Sequence, residues 1–129
     1  MKYLGIDFGL KNIGLSFAEG PLAEPFVQKK YKNFNKLLTY LVKICQKEKI
    51  DIIIIGLPEG NLKNNVKKLG SNLKSFTNLP IFYQDETLTT KEAQQKMIQA
   101  NISQKKRRQD HRAAATLILQ DYLDTHIKD

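Results

Sequence analysis

The sequence predicts an α/β fold: a mixed five-stranded sheet, built from a hairpin of antiparallel strands plus helix-linked parallel strands, with helices on both faces. Three observations carry this expectation. Residues 2–8 alternate strictly, with Leu4, Ile6 and Phe8 pointing one way and Tyr3, Gly5 and Asp7 the other, and Gly9-Leu10-Lys11-Asn12 follows with turn chemistry. Four consecutive isoleucines, Ile52 to Ile55, suit a strand covered on both faces, as in parallel sheets flanked by helices. Segments with apolar residues at helical spacing separate the later strands, as crossover connections require.

The elements follow in order. After the first strand, Ile13 to Ala18 returns as the second arm of a hairpin. Gly20, Pro21 and Pro25 mark a loop, and 26–32 reads as a third strand with edge-like lysines. Asn33 or Asn35 caps a helix whose apolar positions, Phe34, Leu37, Leu38, Leu41, Ile44 and Cys45, run to about Glu48. The isoleucine strand ends at Gly56-Leu57-Pro58-Glu59-Gly60. Leu62, Val66, Leu69, Leu73 and Phe76 then mark a second helix. Residues 80–84 form a short strand ending at Asp85-Glu86. Thr89 with Glu92 fits a capping box for a helix reaching about Ala100. A basic loop follows, and Asp110 to about Thr125 is the last helix.

The chain has 129 residues, enough for one domain and one core, so a single domain over 1–129 is expected. Apolar residues make up 41%, and no apolar run approaches the ~20 residues of a membrane span. An acid interrupts the apolar stretch at Asp7, so the start of the chain does not read as a signal peptide. Cys45 is the only cysteine, which excludes an intramolecular disulfide and a cysteine-built zinc site and suits a reducing cytoplasm. Net charge is +8, from 21 Lys and Arg against 13 Asp and Glu. Lys105, Lys106, Arg107, Arg108 and Arg112 crowd together beside candidate acids, which points to a nucleic-acid partner rather than a merely solvated loop.

Three loci could carry chemistry. Asp7 sits in an otherwise apolar strand between Gly5 and Gly9, and a buried carboxylate needs a compensating partner. Its bland alternative is a strand-end acid capping the turn. Asp85-Glu86 stands where a strand ends, the usual ligand position of open α/β sheets, with a polar pair before a helix cap as the alternative. Asp110-His111 opens the last helix. Helical projection puts His111, Ala115, Ile118, Leu119 and Tyr122 on one side and Asp110 near Asp121 and Asp124 on the other. At this point a structural histidine and a ligand are equally open for His111. Oxygen-rich loci suit Mg²⁺, and two such ions could clamp a phosphodiester. Neither a nucleophile elbow nor a Walker loop is present.

Gly5-Ile6-Asp7-Phe8-Gly9-Leu10-Lys11-Asn12-Ile13-Gly14, the apolar strand ending Gly56-Leu57-Pro58, Asp85-Glu86-Thr87-Leu88-Thr89-Thr90 with Glu92-Ala93, and the helix from Ala113-Ala114-Ala115 to Leu123 resemble, in order and along nearly the whole chain, the motifs of the YqgF family, also called RuvX. The resemblance implies an RNase H-like fold and a nuclease dependent on Mg²⁺ or Mn²⁺, acting in the trimming of the small-subunit ribosomal RNA precursor. It carries metal carboxylates onto Asp7 and Glu86 and a phosphate contact onto Lys11. Three departures stand out. Thr87 replaces the usual Arg, Glu59-Gly60-Asn61 is shorter than the usual loop, and the family's closing-helix Asp falls on His111, with Asp110 one residue off that register. His111 is therefore the expected third ligand and Asp110 its neighbour at the helix start. The expected partner is structured RNA, without a membrane, for a monomer or homodimer. A dimeric resolvase of branched DNA and a non-catalytic nucleic-acid-binding module are the alternatives. An actin-like ATPase needs two domains, which 129 residues do not supply.

Overall fold

The computed structural model describes residues 1–85 and 111–126. Glu86, Thr87, Asp110, the Thr89 helix and the basic loop with Lys105, Lys106, Arg107 and Arg108 lie outside the described residues.

The chain opens with β1 (Tyr3–Phe8), β2 (Asn12–Ala18) and β3 (Glu24–Lys30), followed by α1 (Phe34–Lys47). Next come β4 (Ile52–Leu57), α2 (Leu62–Thr77) and β5 (Ile81–Asp85), and α3 (His111–His126) is the last described helix. The five strands form one sheet in the order β3-β2-β1-β4-β5. β1 pairs antiparallel with β2 and β2 with β3, whereas β4 runs parallel to β1 and β5 parallel to β4. The mixed sheet expected from hairpin and crossover patterns is therefore present, with helices on both faces.

The third strand is shifted from its expected position. It starts at Glu24, opposite Phe17, and ends at Lys30 because Lys30 pairs with Asn12, the first residue of β2. Beyond Asn12 the chain turns, and the one backbone bond that follows runs from Tyr31 N to Lys11 O. Asn33 is the cap of α1, its side chain accepting from Lys36 N at 2.9 Å. Phe76, expected on the buried side of α2, is 64% exposed, because it lies in the last turn, past the buried positions Val66, Leu69 and Leu73.

Strand alternation divides the molecule into two faces. On one face Leu4, Ile6, Phe8, Ile13, Leu15, Ile53 and Ile55 pack against Leu37, Leu41, Ile44, Leu69 and Leu73 of α1 and α2. On the other, Tyr3, Ala18 and Ile54 meet Ile118, Leu119, Tyr122 and Leu123 of α3. Ile53, Ile54 and Ile55 are fully buried, as a strand sandwiched between helix layers demands. No helix among the described residues is long and apolar enough to cross a membrane.

Candidate active site

Asp7 is buried near the C-terminal end of β1, on the face covered by α3, opposite Gly14 of β2. What lets α3 come close enough to reach it is the absence of side chains beneath the helix. A Cβ at Gly14 would collide with the backbone carbonyl group and the Cβ of His111. One turn further along, a Cβ at Gly5 would stand 2.8 Å from the Leu119 Cβ and 3.0 Å from the Ala115 carbonyl oxygen. Both glycines are required by this approach, since backbone cannot step aside as a side chain can.

Hydrogen bonds then fix the helix in rotation and depth. Ser16, fully buried, donates from Oγ to the Ala115 carbonyl at 2.8 Å. Gln28 Oε1 accepts from the His111 backbone N–H at 2.6 Å, satisfying one of the amides that a helix start leaves without an internal partner. Farther down, Gln120 accepts from Ala23 N and donates to the Pro21 carbonyl, both at 2.8 Å.

The result is a direct contact between the first and last described elements. His111 Nδ1 lies 2.5 Å from Asp7 Oδ2. A carboxylate can only accept, so Nδ1 carries the proton of this contact. The ring edge faces the hairpin turn, where a Cβ on Gly9 would sit 3.1 Å from Cε1 and 3.4 Å from Nε2. The helical projection thus turned His111 to the correct side. The partner of its Nδ1 is Asp7, the strand acid expected at the same site.

The turn between β1 and β2 is braced from β3. Gly9 N donates to Asn12 O at 2.9 Å, Tyr31 N donates to Lys11 O at 3.2 Å, and the Tyr31 hydroxyl donates to the Gly9 carbonyl. Burial raises the Tyr31 pKa, so its phenol stays protonated and keeps donating. Lys11 is exposed at this turn and Arg112 on the first turn of α3, so both remain at the rim of the site. Asn12 Oδ1 is buried without a hydrogen-bond partner. Gln28 and Tyr31 were not singled out from sequence, and Asn12 was read only as part of the turn and its motif. Gln28 carried a weak signal, a polar residue inside a strand; Tyr31 carried none.

Among the described residues no group of three His, Cys, Asp or Glu side chains could enclose a metal ion; Asp7 and His111 stand together as two. Glu86 directly follows Asp85, the last residue of β5, and β5 is parallel to β4, which is parallel to β1. The chain therefore leaves β5 at the end of the sheet where Asp7 lies.

A family model described as RuvX, Holliday junction resolvase, matches residues 1–125. A protein of Clostridium kluyveri assigned as a pre-16S rRNA nuclease is 36% identical over 133 aligned positions, covering 96% of this chain and 97% of that one. One of Lactobacillus acidophilus with the same assignment is 34% identical with full coverage of both. Among solved structures, the Fowlpox virus Holliday junction resolvase with junction DNA superposes with a TM-score of 0.64 at 14% identity, over 99% of this chain and 100% of that one. Thermus thermophilus RuvC with a Holliday junction gives 0.59 at 14% identity, over 98% and 96%. The fold is thus the RNase H-like one these resolvases share. With a full-length family match and relatives above 30% identity, the chain belongs to the RuvX family.

Proposed function

We propose that this chain is a metal-dependent nuclease that hydrolyses phosphodiester bonds of structured RNA and processes pre-16S ribosomal RNA, as the names of its relatives suggest. The observation that carries the reading is the Asp7–His111 contact across Gly14. It joins a buried strand carboxylate to the helix position where the family's third acid falls.

The donor set fits a hard divalent cation. One oxygen of Asp7 is engaged by His111, and the other has no hydrogen-bond partner among the described residues. The buried Asn12 Oδ1 is a further acceptor left without a donor. A buried acceptor in this state is costly unless something compensates it, and a cation would. Asp7 and Glu86 would hold Mg²⁺ or Mn²⁺, with His111 as third ligand. A cation there would supply Lewis-acid stabilisation of the phosphate and activation of the attacking water. Asp7 orients the imidazole through Nδ1, the arrangement by which carboxylates fix ligating histidines. Lys11, Arg112 and the basic loop Lys105, Lys106, Arg107 and Arg108 would bind backbone phosphates. Asp110 is the flanking residue at the helix start rather than the ligand. An imidazole ligand suits Mn²⁺ at least as well as Mg²⁺, so activity is expected to be relatively high with Mn²⁺. The domain is proposed to be the whole of 1–129, acting in the cytoplasm.

Incubation with structured RNA and with four-way-junction DNA, each with Mg²⁺, Mn²⁺ or EDTA, tests this reading. Cleavage of the RNA that EDTA abolishes is expected. Cleavage confined to the junction would make the chain a resolvase, and binding without cleavage would make it a non-catalytic module.

A further inference from the structure

The helix layer opposite the site, α1 with α2, has a charge distribution that the nuclease reading does not use. Residues 25–47 contain six lysines and no Asp or Glu, and residues 60–84 contain four lysines and no Asp or Glu. Of the acids flanking this layer, Glu59 precedes α2 at the end where Asp7 lies, whereas Glu48 and Asp51 stand at the far end of the sheet. There Lys2 is neutralised by Glu19 at 3.5 Å and Glu48 at 3.2 Å, with Asp51 accepting from the Lys2 backbone N–H.

At the end where Asp7 lies, Glu59 forms no ion pair with the lysines among the described residues. β3 and β4 both run parallel to β1, so α1 and α2 start at this end. Lys30, Lys32, Lys36 and Lys68 are exposed and none forms an ion pair among the described residues. Lys68 is held by its ammonium 4.6 Å over the ring of Phe34, the first residue of α1, so α2 contributes a charge to the start of α1. Lys30, Lys32 and Lys36 border a groove of about 220 Å³ together with Tyr31 and Tyr40.

This basic surface is continuous with the site. Lys30 pairs with Asn12, two residues before Gly14 on β2, and shares the sheet face of Gln28, which holds the His111 amide. Tyr31 is tied by two hydrogen bonds to the turn bearing Lys11. From Lys11 the positive charges run through Lys30 and Lys32 to Lys36 and Lys68.

Resting on the nuclease reading, we propose that Lys30, Lys32, Lys36 and Lys68 form a phosphate track that binds the sugar–phosphate backbone of the substrate to one side of the cut, over the β3 edge and onto the α1–α2 seam. Lysines on long flexible stems, without a planar fork, suit sequence-independent phosphate contact. Ribose and deoxyribose backbones share this chemistry, so the track does not choose between RNA and DNA. It sets how much flanking nucleic acid the site can hold.

The test is binding of the full chain in EDTA to a labelled RNA hairpin with a single-stranded extension, and to the DNA hairpin of the same sequence, across a salt series. Cleavage with Mn²⁺ is measured in parallel. Against wild type stand the combined variant Lys30→Gln, Lys32→Gln, Lys36→Gln, Lys68→Gln and a control, Lys43→Gln, Lys47→Gln, Lys74→Gln, which removes lysines from the far ends of the same helices. The slope of log affinity against log salt should flatten by about 3 in the first variant, at ~0.7–0.9 per phosphate released, and stay at the wild-type value in the control. An unchanged slope in the first variant overturns the track, while cleavage by wild type keeps the nuclease reading. Equal flattening per lysine in the control overturns it too, since net charge alone would then explain binding. Tighter binding to phosphatidylserine vesicles than to either hairpin, lost in the first variant, would assign the surface to a membrane and overturn it. Wild type that binds with the expected slope but cleaves nothing would sink the nuclease reading and leave the track standing. Wild type that binds neither hairpin overturns both.

Discussion

The two faces of the sheet solve opposite problems. Under α1 and α2 the sheet presents large aliphatic side chains, and the helices stand off on a thick core of Leu and Ile. Under α3 it presents Gly5, Gly14 and Ser16, and the helix answers with Ala115, so its backbone rests close to the strands. The first face provides stability that depends on volume. The second provides position, through a few polar contacts that each specify one residue. The candidate site sits at the tip of the second face, where Asp7 and His111 could not meet across a thick aliphatic layer.

Substitutions that distinguish volume from position sharpen this contrast. Leu41, fully buried on the first face, should lose about 2–5 kcal/mol of unfolding free energy as Leu41→Ala. Its cleavage rate per folded molecule should stay at the wild-type value; denaturant unfolding and active-fraction assays together check this. Gly14→Ala reverses the pattern. The added methyl meets His111 backbone, so α3 must lift at its start. A stability loss of about 1–3 kcal/mol should accompany a drop in cleavage of roughly 10–100-fold, the range for losing a group that orients a ligand. Stability loss without loss of cleavage would mean that the seat of α3 does not set the site.

Ser16→Ala, which removes the second donor to the Ala115 carbonyl, should cost about 0.5–1.5 kcal/mol, the net worth of one hydrogen bond, because the carbonyl keeps its partner within the helix. The smallest effect belongs to Cys45. Burial on the first face pushes its thiol up to about 11, so at pH 8 it is almost wholly protonated and a poor nucleophile. Labelling by a thiol reagent should therefore be slow in the folded chain and follow unfolding; labelling at a free-thiol rate would show that this face opens readily.

The first face was readable from sequence because its signal is periodic. Leu4, Ile6 and Phe8 alternate, Ile53 and Ile55 point the same way from the isoleucine run, and Leu37, Leu41 and Ile44 repeat at helical spacing; all of these positions are buried. Only ends drifted, as at β3, where pairing with Asn12 sets the stop. The second face was legible in part. Asp7 was conspicuous as an acid among apolar residues, and helical phase turned His111 inward. The pairing of these two residues was not legible, since it depends on the closeness of α3 to the sheet. That closeness comes from absent side chains at Gly5 and Gly14, which leave no periodic mark. Gln28 acts through one long-range hydrogen bond, across 83 residues, and Tyr31 through two to the hairpin turn, and no local pattern encodes such contacts.

Asp7 and His111 are proposed to act as one site. Single-turnover cleavage of structured RNA in Mn²⁺ by wild type, Asp7→Asn, His111→Ala and Asp110→Ala tests it most directly, with circular dichroism to show that each variant folds. Asp7→Asn should lose more than the ~10–100-fold typical of a residue that only orients a ligand, because an amide keeps the shape but binds a hard cation poorly. His111→Ala should lose far more than Asp110→Ala. Wild-type rates in Asp7→Asn, or a dead Asp110→Ala beside an active His111→Ala, would contradict the account.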